Sequence, residues 1–141
     1  MRKIILASHG DLSKGMLGAV KMIIGSSELG SNIDAYSLEI GKNPYDYVEK
    51  MKEEIKKNPN DEYIFISDIK GGSVHTALTQ LCVYKNVKLF SGMNMNMVFE
   101  LVFYKEKTLT TENGFRLLDE IKNGITFMDS QSFILQGSDE F

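Results

Sequence analysis

The sequence is poor in cysteine, has no tryptophan, and carries no long apolar run and no long run of one charge. One cysteine cannot form a disulfide within the chain, so the fold must depend on a hydrophobic core. At 141 residues the chain is long enough to bury one. No apolar stretch approaches the ~20 residues that cross a bilayer, and the stretch after Met1 is too short for a signal peptide. We therefore expect a cytoplasmic protein.

The charge balance excludes one large class of function. Sixteen basic residues stand against 19 acidic ones, which gives a net charge of −3, whereas a nucleic-acid-binding domain needs a basic face. Metal binding lacks ligands as well, since His9, Asp68 and the distant His75 are fewer than a zinc or iron site usually gathers. We therefore predict no nucleic-acid partner, no metal and no cofactor.

The sulfur-containing residues are expected to be structural. Cys82 ends a helical apolar pattern that begins at Ala77, which predicts a buried and unreactive thiol. Three of the eight methionines cluster between Met93 and Met97. Methionine is flexible and polarisable, so this cluster suits either core filling or a docking surface for a partner protein.

Four strand-like segments, each followed by a helical pattern, organise the chain; the first is a continuous apolar run, and the second alternates between apolar and polar residues. The predicted strands are residues 4–9, 33–38, 63–67 and 87–91. Helices follow each of them, with N-caps predicted at Ser13, Asn43, Ser73 and Asn94. Residues 26–32 are predicted to form a loop, and a last helix contains Phe115 and Ile121. Beyond it, Ile125 to Met128 and Ser132 to Leu135 are short strand candidates.

Strands that alternate with helices predict an α/β fold. We expect three layers, in which a mostly parallel four-stranded sheet has helices on both faces and a candidate antiparallel strand is added near the C-terminus. The fold is expected to be a single domain over residues 1–136, and residues 137–141 are expected to form a loose tail.

Polar and glycine residues follow the first and third strands, at the point where each strand ends. His9 and Gly10 end the first, and Asp68 with Gly71, Gly72 and Ser73 follow the third. Because the carboxyl ends of parallel strands meet at one edge of a sheet, about 4.8 Å apart, Asp68 is the natural partner of His9. An aspartate that accepts the Nδ1 proton would leave Nε2 as an oriented nucleophile.

The glycines and the serine suggest what that nucleophile attacks. Gly71 and Gly72 allow close approach of backbone N–H groups to anionic oxygens, and Ser73 adds a hydroxyl donor. Together with His9 and Asp68, they predict phosphoryl transfer onto a side chain. The sequence does not predict a nucleoside triphosphate as the direct donor, because Met16 and Leu17 stand where a Walker A loop has its Lys-Ser/Thr pair.

These motifs resemble a known family. Ser8-His9-Gly10, the Asp68-x-x-Gly71-Gly72-Ser73 turn and Gly92-Met93-Asn94 are similar to segments of the enzyme IIA proteins of the mannose class of the bacterial sugar phosphotransferase system, over residues 1–103. The resemblance implies that His9 accepts a phosphoryl group from the histidine-containing phosphocarrier protein and passes it to the IIB component of a sugar transporter. Asp68 would hold His9, and Gly10, Gly71, Gly72 and Ser73 would bind the phosphate.

The resemblance also implies assembly. In the family a C-terminal strand pairs with the sheet of a second subunit, so a homodimer is expected, with Ile125 to Met128 as the exchanged strand. Contact with the membrane would be indirect, through the transporter. Two departures stand out: Asn96 lies where the family often has proline, and the stretch after Phe103 matches poorly. The site is expected to be open, shallow and ringed by apolar residues. His75 is expected at the surface, with at most a tuning effect on the site.

Other functions fit parts of the same pattern. A IIA-like subunit of the phosphotransfer-driven dihydroxyacetone kinases would use the same histidine chemistry with a different acceptor. A flavodoxin-like ligand-binding module would share the fold and bind a flavin in place of a phosphoryl group. A regulatory interaction protein would keep the fold without turnover.

Overall fold

The computed structural model describes residues 1–25 and 32–139. The chain divides into two compact units, Met1–Leu109 and Thr110–Phe141. The first unit contains the sheet and the second contains the last two helices. The single domain over residues 1–136 stays a prediction, and almost all of the predicted loop at residues 26–32 lies outside the described residues.

The sheet has four parallel strands, as the strand-like segments predict. They are β1 (Arg2–His9), β2 (Ile33–Leu38), β3 (Glu62–Ser67) and β4 (Val87–Ser91), in the spatial order β2-β1-β3-β4. The register sets Ala7 of β1 beside Ser67 of β3, so the residues that follow each of them leave the sheet together.

Six α-helices surround or follow the sheet in the described part of the chain. Their bounds are α1 (Leu12–Ile24), α2 (Pro44–Lys57), α3 (Ser73–Leu78), α4 (Met95–Val102), α5 (Thr111–Lys122) and α6 (Ser130–Asp139). A 3₁₀ helix, Thr79–Val83, continues α3.

The core lies on both faces of the sheet. Ile5 and Phe65 pack on one face in a cluster with residues of α2 and α3. Their neighbours Ile4 and Ile64, which are also buried, point to the other face because side chains alternate along a strand. Helices α1 and α4 contact each other and bury Val20. The predicted fold, with helices on both faces of the sheet, is therefore confirmed.

The strand order creates a crevice between β1 and β3. From β1 the chain crosses to β2 on one side, and after α2 it returns to β3 on the other side of β1. At such a switch point the connections at the carboxyl ends of the two central strands lead away in opposite directions, and ligands of open α/β sheets bind there. His9 and Asp68 are the residues that stand at this point.

Two of the four predicted N-caps are confirmed and two are wrong. The side chains of Asn43 and Asn94 accept hydrogen bonds from the first turns of α2 and α4. Ser13 and Ser73 lie inside their helices, and the N-cap positions belong to Asp11 and Gly72. Both serine hydroxyls bond to other parts of the fold, which the local sequence does not reveal.

The prediction of a buried Cys82 is wrong. Cys82 is exposed because α3 ends at Leu78 and the chain continues as a 3₁₀ helix. With 3.0 residues per turn in place of 3.6, Leu81 falls directly below Leu78 and stays buried. The next residue is then rotated away from the core.

The C-terminal strand candidates are not found as strands in the described part of the chain. Ser132 to Leu135 is helical, within α6, so that prediction is wrong. A run of four apolar or small residues fits one turn of a helix as well as a strand. Ile125 to Met128 belongs to no helix or strand. The backbone from Gly137 to Asp139 belongs to α6, and residues 140 and 141 lie outside the described residues. A loose tail over residues 137–141 stays a prediction.

Candidate functional site

His9 and Asp68 meet at the crevice between β1 and β3. The Oδ2 atom of Asp68 accepts the backbone N–H of His9 at 2.8 Å and lies 2.7 Å from His9 Nδ1. The other oxygen, Oδ1, accepts the N–H of Ile69 at 2.9 Å. Asp68 can therefore hold both the backbone and the ring of the histidine.

The two side chains differ in their exposure to solvent. The His9 side chain is 46% exposed, whereas that of Asp68 is 8% exposed. Burial alone would raise the pKa of Asp68, but the hydrogen bonds from the His9 N–H, the His9 ring and the Ile69 N–H outweigh it and hold this pKa below its usual range. The carboxylate is therefore ionised at neutral pH and can only accept, which assigns the proton between the two groups to Nδ1.

In the neutral form of the ring, with its proton on Nδ1, the far nitrogen carries a lone pair. Ser73 Oγ lies 2.9 Å from His9 Nε2, so the serine hydroxyl donates to that lone pair. The Ser73 hydroxyl thus occupies the position next to Nε2, and it can rotate away from the ring. This is the arrangement that a nucleophilic imidazole requires.

Gly72 allows the turn after β3 to lie against the ring. A Cβ atom at this position would stand 3.1 Å from His9 Cε1 and 2.9 Å from Ile69 Cγ2, closer than ordinary van der Waals contact. The preceding Gly71 has φ +82°, in the left-handed region that favours glycine. The two glycines therefore have separate reasons to lack a side chain, a backbone conformation at Gly71 and a close approach at Gly72.

The N–H groups of the three glycines predicted to bind phosphate already have acceptors. Gly10 donates to the carbonyl oxygen of Leu38 at 2.8 Å. Gly71 donates to His75 Nδ1 at 3.2 Å, and Gly72 donates to the carbonyl oxygen of Ile69 at 3.3 Å. For these amides, phosphate binding stays a prediction that requires the present bonds to be exchanged. Ser73 already presents its hydroxyl at Nε2.

The sequence matches a family model over most of its length. The model is described as the PTS system fructose IIA component, EIIA-man, and it matches residues 3–116. The chain belongs to this family. Membership identifies it as a sugar phosphotransfer component of the mannose class. Among curated proteins, none matches the sequence.

Solved structures of IIA proteins share the fold. The mannose/sorbose-specific IIA subunit from Enterococcus faecalis is 22% identical with a TM-score of 0.75, and the match covers 91% of this chain and 95% of that one. The EIIA component from Streptococcus agalactiae is 22% identical with a TM-score of 0.73, and the match covers 90% of this chain and 97% of that one. The IIA protein associated with the fucose utilization operon of Streptococcus pneumoniae is 22% identical with a TM-score of 0.71, and the match covers 89% of this chain and 92% of that one.

A group of serines, of which Ser8 and Ser13 are buried, braces the His9 turn of this IIA chain, and the sequence analysis missed it. Ser8 Oγ accepts the N–H of Ser13 at 2.8 Å and donates to the carbonyl oxygen of Gly10 at 3.0 Å. Ser13 Oγ bonds to the carbonyl oxygen of Tyr36 and to Ser37 Oγ. A serine inside an apolar strand, directly before His9, was the available signal, because a buried hydroxyl must find a partner.

His75 is also closer to the site than the sequence indicated. Its ring is half-buried and accepts the Gly71 N–H, although it was expected at the surface. The available signal was the spacing of four residues between Gly71 and His75, since a side chain in the first turn of a helix can reach back to the loop before it.

Three exposed apolar side chains of the IIA chain follow strands at the edge of the sheet where His9 lies. Leu12, Ile40 and Ile69 stand on the loops or first turn after β1, β2 and β3, and all three are exposed. Of the methionine cluster, Met93 and Met95 are half-buried and Met97 lies in the core. Met97 is therefore core filling, and the apolar rim consists mainly of Leu12, Ile40 and Ile69.

The described residues contain neither a membrane-spanning helix nor a cluster of metal ligands. No helix in residues 1–25 and 32–139 has both the length and the apolar composition to cross a membrane. In the same part of the chain, no three His, Cys, Asp or Glu side chains come together in a way that could hold a metal ion.

Proposed function

We propose that the chain is a phosphocarrier in sugar uptake. His9 accepts a phosphoryl group from the histidine-containing phosphocarrier protein and passes it to a IIB component. The observation that carries the proposal is the contact of 2.7 Å between His9 Nδ1 and the buried carboxylate of Asp68, next to an exposed Nε2 face. Family membership supports the same reaction class.

The chemistry is a transfer between two nitrogen atoms. His9 Nε2 attacks the phosphorus of the donor phosphohistidine, so that one P–N bond forms while the bond to the donor imidazole breaks and its electron pair stays with that ring. His9 becomes cationic as Nε2 gives up its lone pair. Asp68 stabilises this charge through the proton on Nδ1, and the low dielectric around the carboxylate strengthens the interaction.

Ser73 is the first donor for the incoming phosphoryl group. Its hydroxyl occupies the position next to Nε2 where the phosphorus will bind. As the group arrives, the hydroxyl rotates and donates to a phosphoryl oxygen. Gly72 keeps the turn close enough for this contact, because a larger residue would collide with the ring.

The surroundings of His9 suit a reaction between proteins. The ring is 46% exposed, and the rim of Leu12, Ile40 and Ile69 offers apolar surface to a docking partner. A docked partner would cover this rim and exclude water from the phosphohistidine. The partners also set the location, since both are found at the cytoplasmic side of the transporter, and contact with the membrane is indirect.

The proposal includes a homodimer. The second unit exposes many large apolar side chains, which a partner subunit would cover; among them are Phe115, Ile125, Phe127, Met128, Phe133 and Ile134. Sedimentation of the whole chain should give twice the monomer mass of 15.9 kDa. Substituting Phe127→Asp should then shift the equilibrium toward monomer, whereas a monomeric wild type would disprove this part.

The deciding experiment is labelling by the upstream enzymes. Purified chain is incubated with phosphoenolpyruvate, enzyme I and the phosphocarrier protein, and its intact mass is measured. Wild type should gain one phosphoryl group, which is stable in alkali and lost in acid. The chain has only two histidines, so His9→Ala should abolish the gain and His75→Asn should retain it at the end point. Labelling of His9→Ala would disprove the proposal.

A further inference from the structure

His75 makes a contact that the proposed reaction does not use. Its Nδ1 atom accepts the N–H of Gly71 at 3.2 Å, four residues back along the chain. The side chain is half-buried at the start of α3. To accept, Nδ1 must carry a lone pair, so the proton of the neutral ring is on Nε2.

The contact holds an exposed glycine in the turn. Gly71 adopts φ +82°, and a Cβ atom at this position would meet no heavy atom within 4 Å. Glycine at such a position can reach many other conformations. The hydrogen bond to His75 is the contact that ties the Gly71 N–H to the helix.

The next two residues act directly on His9. Gly72 lies against the imidazole, where a Cβ would stand 3.1 Å from His9 Cε1. Ser73 donates its hydroxyl to Nε2 at 2.9 Å. A change in the Gly71 peptide would move both residues, because they follow it without a break.

We propose that His75 is a positioning residue for phosphoryl transfer. Its neutral ring holds the Gly71 N–H, and through it sets Gly72 and Ser73 against His9. The inference rests on the proposed function, since it assigns His75 a part in the same site. The alternative is that His75 competes with phosphate, because it occupies the Gly71 N–H group that the phosphoryl oxygens would need.

The test uses two substitutions that differ in one property. His75→Leu replaces the imidazole with an apolar side chain that has no acceptor. His75→Asn places Oδ1 at the same number of bonds from Cα as Nδ1, so that it can accept the Gly71 N–H. Thr76→Leu, at the exposed neighbour, controls for a bulky apolar change in α3. For each protein, the single-turnover rate of labelling, the hydrogen exchange of the Gly71 amide and the unfolding temperature are measured.

We expect His75→Leu to slow labelling about three- to tenfold, the effect of one neutral hydrogen bond. His75→Asn should restore the rate to within about twofold, because it restores the acceptor. The Gly71 amide should exchange faster in the leucine variant alone, with Thr76→Leu like wild type. Two-bond proton–nitrogen NMR spectra of wild type should show the His75 proton on Nε2.

Three results would overturn the inference. Unchanged labelling in His75→Leu would show that the contact does not matter, and faster labelling would show that His75 competes with phosphate. Equal slowing in the leucine and asparagine variants would show that only the packing of the ring counts. These results all require a wild type that is labelled, whereas an unlabelled wild type would refute the proposed function itself, so the two failures are distinguishable.

Discussion

One oxygen atom of Asp68 accepts both the backbone N–H and the ring Nδ1–H of His9, at 2.8 and 2.7 Å. The imidazole is therefore fixed relative to the end of its own strand as well as in its tautomer.

Replacing Asp68 by Asn should slow phosphoryl transfer to His9 by about 10- to 100-fold, the value of a hydrogen bond to a charged group. The amide cannot stabilise the positive ring, and its NH₂ group can face Nδ1 and reverse the tautomer. Single-turnover labelling measures the rate. Asp11→Asn is the matched control, since that carboxylate lies nearby on an exposed helix N-cap. An equal loss in both variants would contradict the role of Asp68.

Asp68 should also make stability depend on pH. Its pKa is lowered in the folded state, so the unfolded chain binds more protons at intermediate pH and stability rises with pH. The contribution is full above the unfolded pKa of about 4 and is lost as pH falls through the lowered folded value. The difference in free energy of unfolding between wild type and Asp68→Asn should therefore narrow between pH 6 and pH 3. Urea titrations test this, and a constant difference would count against it.

Removal of the Ser73 hydroxyl should affect the reaction and spare the fold. Ser73→Ala loses the donor at Nε2 and should slow labelling about three- to tenfold, while Ser73→Thr should retain most of the rate. Because Ser73 is exposed, the free energy of unfolding should change by less than about 0.5 kcal/mol. A rate like that of wild type in Ser73→Ala would show that another group prepares the site.

A methyl group at Gly72 should disturb the ring of His9. The backbone of Gly72, with φ −70°, accepts alanine, so the effect would come from contacts with Ile69 and His9. We expect a loss of about 1 to 3 kcal/mol of stability, together with shifted His9 ring resonances in NMR spectra. Gly18→Ala is the control, because its Cβ would meet open space within α1. It should stabilise the protein by up to about 1 kcal/mol.

The apolar rim should matter for docking and not for chemistry. Ile40→Asp should raise the KM for the phosphorylated phosphocarrier about fivefold or more, with kcat nearly unchanged, because Ile40 is fully exposed and reaches no catalytic group. Val83→Asp is the control. Val83 is equally apolar and exposed, but it stands at the end of the 3₁₀ helix, just before β4 begins. Similar KM values for the two variants would argue against the rim.

The sequence predicted the sheet and the His9–Asp68 contact because both depend on strong local patterns. Continuous apolar runs mark strands buried on both faces, and parallel strands align their carboxyl ends. The predicted bounds of β2, which rest on an alternating pattern, and those of β4 are the bounds that the structure gives. Long-range geometry entered only through the assumption that β1 and β3 are neighbours, which the strand order confirms.

The errors occur where tertiary contacts override local preference. Ser13 and Ser73 have the side chain of an N-cap, but their hydroxyls bond to Tyr36 and His9, far away in sequence. Cys82 was misplaced because a 3₁₀ turn changes the angle per residue. The contact of His75 depends on the positive φ of Gly71, which no apolar pattern encodes.

The two hydrogen bonds between Asp68 and His9 also limit the order in which other proteins can react with the imidazole. A ring anchored at both its main chain and its near nitrogen cannot swing from a donor to an acceptor. In the proposed transfer, the phosphocarrier protein and the IIB component would therefore reach Nε2 from the same side of the ring and could not be bound there at the same time. The transfer would then follow ping-pong kinetics, with the dephosphorylated phosphocarrier protein as a competitive inhibitor of the IIB step.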